Sequence, residues 1–342
     1  MDLVCEGGGV KGIGLAGAYS ALQEEGFTVE NVAGTSAGAI TAAFVAAGFS
    51  SEEIREIILN LDYHQFEDKG WEDRLPLVEK TASILLDLGI YEGKALYEWM
   101  REKLSEKNVS TFADLVHDEG EEDLRYRYKL QVIASDVTAR ELLVLPRDAA
   151  KLGIKPDELE VAYAVRMSMS IPIFFEPVRH KHPTEGEHVI VDGGMLSNFP
   201  VWLFDCPDDE EPSWPTFGLL LVEPNPREHL GTRIEPPREE EGIAKLIDYL
   251  KSLAQTMMAA HDRLYLEQAD YARTIPIPTL GVGTTEFDIK DDRALALYDS
   301  GRQAAEKFLS TWNFETYIEE FRRGREGHGR RDALVAAMES PN

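Results

Sequence analysis

The sequence predicts an α/β fold in which a mainly parallel central sheet is flanked by helices. The first fifty residues run strand, helix, strand, helix, with a glycine-rich turn between each strand and its helix. Strands joined through a helix pair in parallel, because the helix crosses over one face of the sheet. Short apolar runs typical of buried strands recur as far as residues 216–222. A chain of 342 residues with 43% hydrophobic side chains can bury such a sheet.

The first strand-loop-helix unit occupies the amino terminus. Leu3 to Cys5 is a short apolar strand, and the glycine-rich stretch from Gly7 to Gly12 follows it. A helix is predicted from Ile13 to Glu25, where Gly26 ends it. The glycine loop is therefore expected between a strand end and a helix start.

The second unit repeats this order. A strand near Val29 to Ala33 leads into the turn Gly34-Thr35-Ser36-Ala37-Gly38, and an apolar helix runs to Ala47 before Gly48. Residues 51–116 read as several helices that form a cap over one side of the sheet. The remaining elements are predicted as strands at 128–134, 141–145, 189–192 and 216–222, and as helices at 159–168, 242–271 and 291–309.

The chain reads as one domain over residues 1–312, followed by a charged tail over residues 313–342. No low-complexity tract interrupts the first segment, whereas an arginine- and glycine-rich run from 322 to 331 marks the second. Such a run is typical of a solvated terminus.

The charge balance excludes some classes of partner. Acidic residues number 62 against 35 basic ones, and the net charge of −27 opposes nucleic acid and permanent attachment to anionic lipid. Cys5 and Cys206 cannot build a disulfide framework and match no metal-binding spacing. No signal peptide or membrane-spanning apolar run is visible. We therefore expect a cytoplasmic protein that meets membranes only transiently, at their surface.

Ser36 is the candidate nucleophile. It is the centre of a Gly-x-Ser-x-Gly motif between a strand and a helix, where small flanking residues permit a sharp turn that projects the hydroxyl. The helix start nearby favours the negative charge that develops during nucleophilic attack. A turn built of small residues only for close packing is the structural alternative.

The glycine loop Gly7-Gly8-Gly9-Val10-Lys11-Gly12 is the second motif. Without Cβ atoms, its backbone N–H groups can approach an oxyanion closely. The same letters match the Gly-x-Gly-x-x-Gly fingerprint of dinucleotide sites, but such sites need an acidic residue after the second strand. This chain has Gly34-Thr35-Ser36 there instead.

Asp192 is the third candidate. It follows the apolar run Val189-Ile190-Val191 and precedes Gly193-Gly194, so it is expected at a strand end on a glycine turn. Acyl transfer needs an oxyanion site, a nucleophile and a base, and these three motifs supply one each.

In this order, the three motifs resemble the hallmark blocks of patatin-like phospholipases. The resemblance covers roughly residues 1 to 310, and Met167 and Ala139 depart from it, where the family usually has alanine and glycine. Lesser blocks agree at residues 89–93, 134–136, 166–172 and 198–200.

The resemblance implies a three-layer α/β/α fold with a helical cap, and hydrolysis of acyl esters in phospholipids, lysophospholipids or neutral lipids through an acyl-enzyme. It implies Ser36 as nucleophile and Asp192 as base, without a cofactor or metal. The oxyanion hole would be the backbone of Gly7, Gly8 and Gly9. Supporting roles in the site fall to Lys11, Gly12, Gly34, Gly38, Gly193 and Gly194.

The sequence leaves alternatives to the acyl hydrolase hypothesis open. A nucleotide-binding regulatory protein could use the Gly7 to Gly12 loop for phosphate, and a transacylase would share the acyl-enzyme. A Ser-His-Asp triad would need a histidine after Asp192. For the three that follow it, namely His229, His261 and His328, surface or packing roles are the better hypothesis.

Overall fold

The computed structural model of the protein describes most of the chain. The described residues are 1–66, 89–117, 123–206, 210–223, 253, 256–257, 268–284 and 286–323. Most of the helix predicted at 242–271 lies outside them, as do the arginine- and glycine-rich run beyond residue 323 and the three histidines after Asp192.

Strands and helices alternate along the described residues. The strands are β1 (Asp2–Cys5), β2 (Val32–Thr35), β3 (Gly89–Tyr91), β4 (Leu130–Asp136), β5 (Glu141–Leu145), β6 (Ile173–Phe175), β7 (Val178–His182), β8 (Gly186–Asp192), β9 (Thr216–Val222) and β10 (Thr274–Pro278). The helices are α1 (Ile13–Glu24), α2 (Ala37–Ala46), α3 (Ser51–Leu59), α4 (Lys94–Ser105), α5 (Leu124–Arg127), α6 (Val161–Ser168), α7 (Gln268–Ala272), α8 (Asp291–Leu309) and α9 (Phe314–Phe321).

The main sheet is mostly parallel. Hydrogen-bonded neighbours follow the path β10-β9-β1-β2-β4-β8-β7, and β5 also pairs with β4. The neighbouring strands from β10 to β4 along this path pair in parallel. The pairs β4–β5, β4–β8 and β7–β8 are antiparallel. The predicted α/β class with a mainly parallel sheet is confirmed.

Both faces of the sheet are buried, and alternate strand residues serve opposite faces. Leu3 and Val32 belong to a large hydrophobic cluster that includes residues of α1 and α2. Val4 and Ala33 belong to a second cluster on the other face, which includes Phe199, Val201, Leu203 and Phe204.

Helices α1 and α8 pack backbone against backbone on the helical face. A Cβ at Gly17 would overlap the carbonyl oxygen of Tyr298, and one at Gly301 would overlap that of Gly14. Glycine is required at these positions because any side chain would push the helices apart. This contact fixes the helix that follows the glycine loop.

The predicted cap region contains α3, α4 and β3, and β3 pairs with β6 from later in the chain to form a small separate sheet. Helix α3 begins with a capping box between Ser50 and Glu53. Leu96, Met100 and Leu104 form the buried stripe of α4 at helical spacing. Part of the cap lies outside the described residues.

The segment predicted as a tail begins with an ordered helix. Tyr317 and Ile318 of α9 are buried, and the Arg322 guanidinium donates to the carbonyl of Cys206 at 3.2 Å. Among the described residues, no helix is long and apolar enough to cross a membrane.

Candidate active site

Two strand ends meet beside β4 and bring Ser36 and Asp192 together. Strands β2 and β5 both pair with Ile133, and β8 and β5 both pair with Ala134. A strand has only two edges, so β2 and β8 must share the edge of β4 opposite β5. Thr35 pairs with Ile133 and Asp192 pairs with Ala134, so the two strands end at adjacent positions. Ser36, the residue after Thr35, therefore lies next to Asp192.

Ser36 occupies a strained turn between β2 and α2. Its φ of 54° and ψ of −128° are rare for a residue with a side chain, and such backbone costs on the order of 1–3 kcal/mol. The Ser36 N–H donates to the hydroxyl oxygen of Ser168 at 2.8 Å. Strain held in place by surrounding contacts is typical of functional sites.

The two glycines of the Gly-x-Ser-x-Gly motif are required by close approach. A Cβ at Gly34 would overlap the carbonyl oxygen of Gly38, and one at Gly38 would overlap the carbonyl oxygens of Cys5 and Glu6. The turn is therefore pressed against the end of β1, where the glycine loop begins.

Asp192 is fully buried at the end of β8. Its Oδ1 accepts the N–H of Gly194 at 2.8 Å, while Oδ2 has no hydrogen-bond partner among the described residues. Burial raises the pKa of Asp192 to about 7, and the nearby Ser36 hydroxyl and the N–H of Gly194 oppose the shift. A carboxylate with this pKa is a far better proton acceptor at neutral pH than an exposed aspartate.

The Ser36 hydroxyl lies between two neighbours. It is turned toward the sulfur of Met169, at 3.5 Å, and it is close enough to Asp192 to affect the pKa of that carboxyl. Catalytic hydrogen bonds are often loose before substrate binds.

The glycine loop presents two N–H groups without acceptors in the described structure, those of Gly8 and Gly9. The N–H of Gly7 donates instead to the carbonyl of Asn198 at 3.1 Å, and the N–H of Val10 donates to the carbonyl of Thr284 at 3.0 Å. Of the three predicted donors, two thus remain available for an oxyanion.

The supporting residues hold the loop and the turn in place. Lys11 donates to Glu223 at 2.9 Å, which anchors the loop to the residue after β9. A Cβ at Gly12 would lie 3.1 Å from that of Ala37, and one at Gly193 would overlap the carbonyl oxygen of Ile133. These glycines allow the loop, the turn and β4 to pack closely.

A segment after α6 contacts both candidates, although the sequence assigns it no catalytic part. Ser168 accepts the Ser36 N–H, and the carbonyl of Ser170 accepts the Asp192 N–H at 2.9 Å. The buried Arg166 donates to the Ser170 hydroxyl at 2.6 Å and to the carbonyl of Glu92 at 2.7 Å. One segment therefore connects Ser36 and Asp192 to the small β3–β6 sheet.

An apolar pocket opens beside Ser36. It contains about 570 Å³ of empty space including its open mouth, and Gly9 and Ala37 belong to its wall. Residues 171–175 are a dense apolar run, which suits ordinary core slightly better than an acyl groove, and the structure shows both roles: Phe175 belongs to the main hydrophobic cluster, and Ile171 and Phe175 line this pocket. Much of the remaining wall is apolar and includes Ile40, Ile58, Phe66, Met169 and Phe287.

The described histidines have partners away from the site. His188 bonds to Asp136, and His64 contacts Asp288 at 2.8 Å. His117 contacts Glu30 at 3.3 Å, His180 contacts the carbonyl of Leu152 and His182 accepts from Thr184. In the part of the chain that the structure describes, no histidine contacts Asp192.

Comparison with known proteins gives related sequences. The model of the patatin-like phospholipase family matches residues 3–205. The uncharacterized protein YqhO of Bacillus subtilis (strain 168) is 39% identical over 315 residues, which cover 92% of this chain and 99% of YqhO. Patatin-like phospholipase domain-containing protein 7 of Rattus norvegicus is 28% identical over 200 residues, or 58% of this chain and 12% of the rat protein.

The solved structure of VipD from Legionella pneumophila has the same fold. It superposes with a TM-score of 0.52 at 20% identity and covers 91% of this chain and 66% of VipD. The family match includes the glycine loop, the Ser36 turn and Asp192. The chain therefore belongs to the patatin-like phospholipase family.

Proposed function

We propose that this protein is a serine acyl hydrolase that cleaves carboxylic esters of lipids through an acyl-enzyme on Ser36. The observation that carries the proposal is the meeting of β2 and β8 on one edge of β4, which puts a strained serine beside a buried carboxyl group. The glycine loop and the apolar pocket adjoin the same point.

In the proposed acylation step, Asp192 takes the proton of the Ser36 hydroxyl while the oxygen attacks the ester carbonyl. The N–H groups of Gly8 and Gly9 stabilise the oxyanion that forms. When this intermediate collapses, Asp192 returns the proton to the departing alcohol. The acyl group stays on Ser36 until water removes it.

Gly8→Ala tests the oxyanion loop. A Cβ at Gly8 would overlap a terminal methyl of Leu221, so that side chain or the loop must shift, and we expect the added methyl to disturb the N–H groups proposed to bind the oxyanion. We expect kcat/KM for a p-nitrophenyl ester to fall by about two to three orders of magnitude. Gly283→Ala is the matched control, because its Cβ would meet only an ordinary contact at 3.6 Å. An unchanged rate in Gly8→Ala would remove this loop from the site.

The pocket suggests where the acyl chain binds. Its apolar wall begins at Ala37 and Met169, both next to Ser36, and reaches Ile58 and Phe66 in the cap region. Such a surface favours a hydrocarbon chain over a charged phosphate, which would lose hydration without gaining a partner. This supports the hydrolase over the nucleotide-binding alternative.

Ile58→Phe tests the pocket. A larger side chain at this wall should shorten the space for the acyl chain, so we expect a higher KM for long-chain esters and little change for butyrate esters. Ile57→Phe adds the same ring to the same helix at a residue that is only partly buried and does not line the pocket. Equal effects of both changes on all chain lengths would argue against an acyl site here.

Two measurements test the proposed function as a whole. Labelling of Ser36 by a fluorophosphonate, with its position shown by peptide mass spectrometry, would support the hydrolase. Saturable dinucleotide binding without labelling would support the nucleotide-binding alternative. Product analysis over a panel of phospholipids, lysophospholipids and neutral lipids, with added alcohols, would separate hydrolysis from transacylation.

A further inference from the structure

Asn198 ties the glycine loop to the turn after β8. Its side-chain nitrogen donates to the carbonyl of Gly7 at 3.1 Å and to the carboxylate of Glu6 at 3.3 Å. A backbone carbonyl and an ionised carboxylate can only accept hydrogen bonds. The amide nitrogen, which donates, must therefore face these two groups. The partners thus fix the orientation of the side-chain amide, and Oδ1 must point the other way.

Asn198 Oδ1 is a buried acceptor without a donor among the described residues. The residue is only 7% exposed, so bulk water does not solvate the oxygen freely. Buried acceptors are normally satisfied, because an unmade hydrogen bond is costly in a site of low polarity. An oxygen left in this state beside an active site is suited to bind a donor that arrives during the reaction.

This oxygen lies close to the nucleophile. A Cβ built on Gly7 would overlap Asn198 Oδ1 and would lie 3.0 Å from the Cβ of Ser36. Asp192 Oδ2, near the Ser36 hydroxyl, is another buried acceptor without a donor in the described structure. Ser36 is therefore flanked by two unsatisfied acceptors, a carboxylate oxygen and a neutral amide oxygen.

We propose that Asn198 Oδ1 orients the water molecule that hydrolyses the acyl-enzyme, an inference that rests on the proposed function. Water has two O–H bonds, and one would donate to Asp192 while the other donates to Asn198. A lone pair of the water then faces the acyl carbonyl on Ser36. The side-chain oxygen of Asn198 accepts the second O–H bond and so fixes the orientation of the water.

The step balances as ordinary ester hydrolysis. Asp192 takes one proton from the water as the water oxygen bonds to the acyl carbon, and Gly8 and Gly9 stabilise the oxyanion. The bond between the acyl carbon and Ser36 Oγ then breaks. The proton passes from Asp192 to that oxygen, which leaves a carboxylic acid and a restored serine.

The test compares two substitutions of similar shape. Asn198→Leu removes both the donor and the acceptor, whereas Asn198→Asp removes the amide donor but keeps an oxygen acceptor. Acylation and deacylation rates are measured separately from the burst and steady phases of p-nitrophenyl ester cleavage. Rapid quenching and intact-protein mass spectrometry show the acyl group. Asn31→Leu is the matched control, since Asn31 is also buried with an unpartnered Oδ1 but bonds to Asp2 at the start of β1.

We expect Asn198→Leu to lower the ratio of deacylation to acylation by about tenfold, so that acyl-Ser36 accumulates. Asn198→Asp should keep a ratio near that of the wild type, and so should Asn31→Leu. If the Leu variant does not fold, Asn198→Ala takes its place, because it also removes the acceptor, and a role limited to holding the loop would leave its ratio of deacylation to acylation at the wild-type value.

Two outcomes separate failure of this inference from failure of the proposed function. If acylation and deacylation fall by the same factor in Asn198→Leu, while the wild type forms acyl-Ser36, the role of Asn198 in deacylation is overturned and the proposed function stands. Absence of any acyl-Ser36 in the wild type would overturn the proposed function, and this inference with it.

Discussion

Ser36→Ala is expected to abolish ester hydrolysis and leave the fold intact. The change removes the only atom that can bond to the acyl group, so kcat/KM should fall by more than about a thousandfold. The fold should tolerate it, because the Ser36 hydroxyl makes just one weak hydrogen bond, to the sulfur of Met169, among the described contacts. The N–H bond to Ser168 belongs to the backbone and survives.

The measurement is turnover of a short-chain p-nitrophenyl ester, paired with thermal unfolding of both proteins. Ser20→Ala is a suitable control, since Ser20 is also buried but its hydroxyl contacts Glu24 on α1. Near-normal activity in Ser36→Ala would place the nucleophile elsewhere. An intact unfolding temperature would show that any loss of activity is chemical.

Asp192→Asn is expected to cost nearly as much activity. The amide keeps the shape of the side chain but cannot accept the serine proton, and loss of a general base costs about 10²- to 10⁴-fold. In the wild type, kcat/KM should rise with pH and level off above about 7, because the raised pKa of Asp192 sets the fraction of active base. A pH-independent rate between about 5 and 8 would contradict this role.

The same substitution should stabilise the protein at alkaline pH. The pKa of Asp192 rises from its ordinary 3.8 to about 7 on folding. Between these values the folded state holds a proton that the unfolded chain has released, so stability falls as pH rises through this window. The loss amounts to about 4 kcal/mol above pH 7.

The amide introduced by Asp192→Asn carries no charge at any pH and would escape this loss. Denaturant unfolding at about pH 8 should therefore show the variant to be more stable than the wild type. The difference should shrink toward zero as pH falls to 3.8, the ordinary pKa of the carboxyl group. Equal stability of the two proteins at alkaline pH would mean that burial does not penalise the Asp192 charge.

Asp136→Asn serves as a contrast for this stability measurement. The Asp136 carboxylate is satisfied by two N–H groups and by His188, so its charge has partners that the Asp192 charge lacks among the described residues. Removing a charge that accepts several hydrogen bonds weakens those bonds. That change should therefore destabilise the protein at the pH where Asp192→Asn stabilises it.

Sequence reasoning succeeds where local pattern and chemistry coincide. The glycine loop, the Ser36 turn and Asp192 all stand at strand ends, and the placement of apolar runs and glycines is enough to predict those ends. The family resemblance then connects the three. Ser168 and Asn198 fall in the lesser blocks of the resemblance, but their residue types do not reveal their contacts, because each makes hydrogen bonds to distant parts of the chain.

Two features of the structure differ from what the sequence suggests, for physical reasons. Asn198 engages the Gly7 N–H through its backbone carbonyl, and a backbone contact leaves no trace in residue type. Helix α9 lies in the segment predicted as a tail. The spacing of Phe314, Tyr317, Ile318 and Phe321 fits a helix, but the nearby run of arginine and glycine favours a solvated terminus. In the sequence, the aromatic residues of the pocket wall look like ordinary core residues, because only the folded chain brings them together around a pocket.

Because β2 and β8 share one edge of β4, strand register sets the distance between Ser36 and Asp192. Evolution can lengthen or replace the cap between Ser36 and Asp192 without moving either group, because neither position depends on the length of chain that joins them. One extra residue in β4 between Ile133 and Ala134 would instead separate the two strand ends and turn alternate side chains to the opposite face. Insertions in the cap would therefore leave the distance between Ser36 and Asp192 unchanged, whereas an insertion of one residue at this point of β4 would alter it.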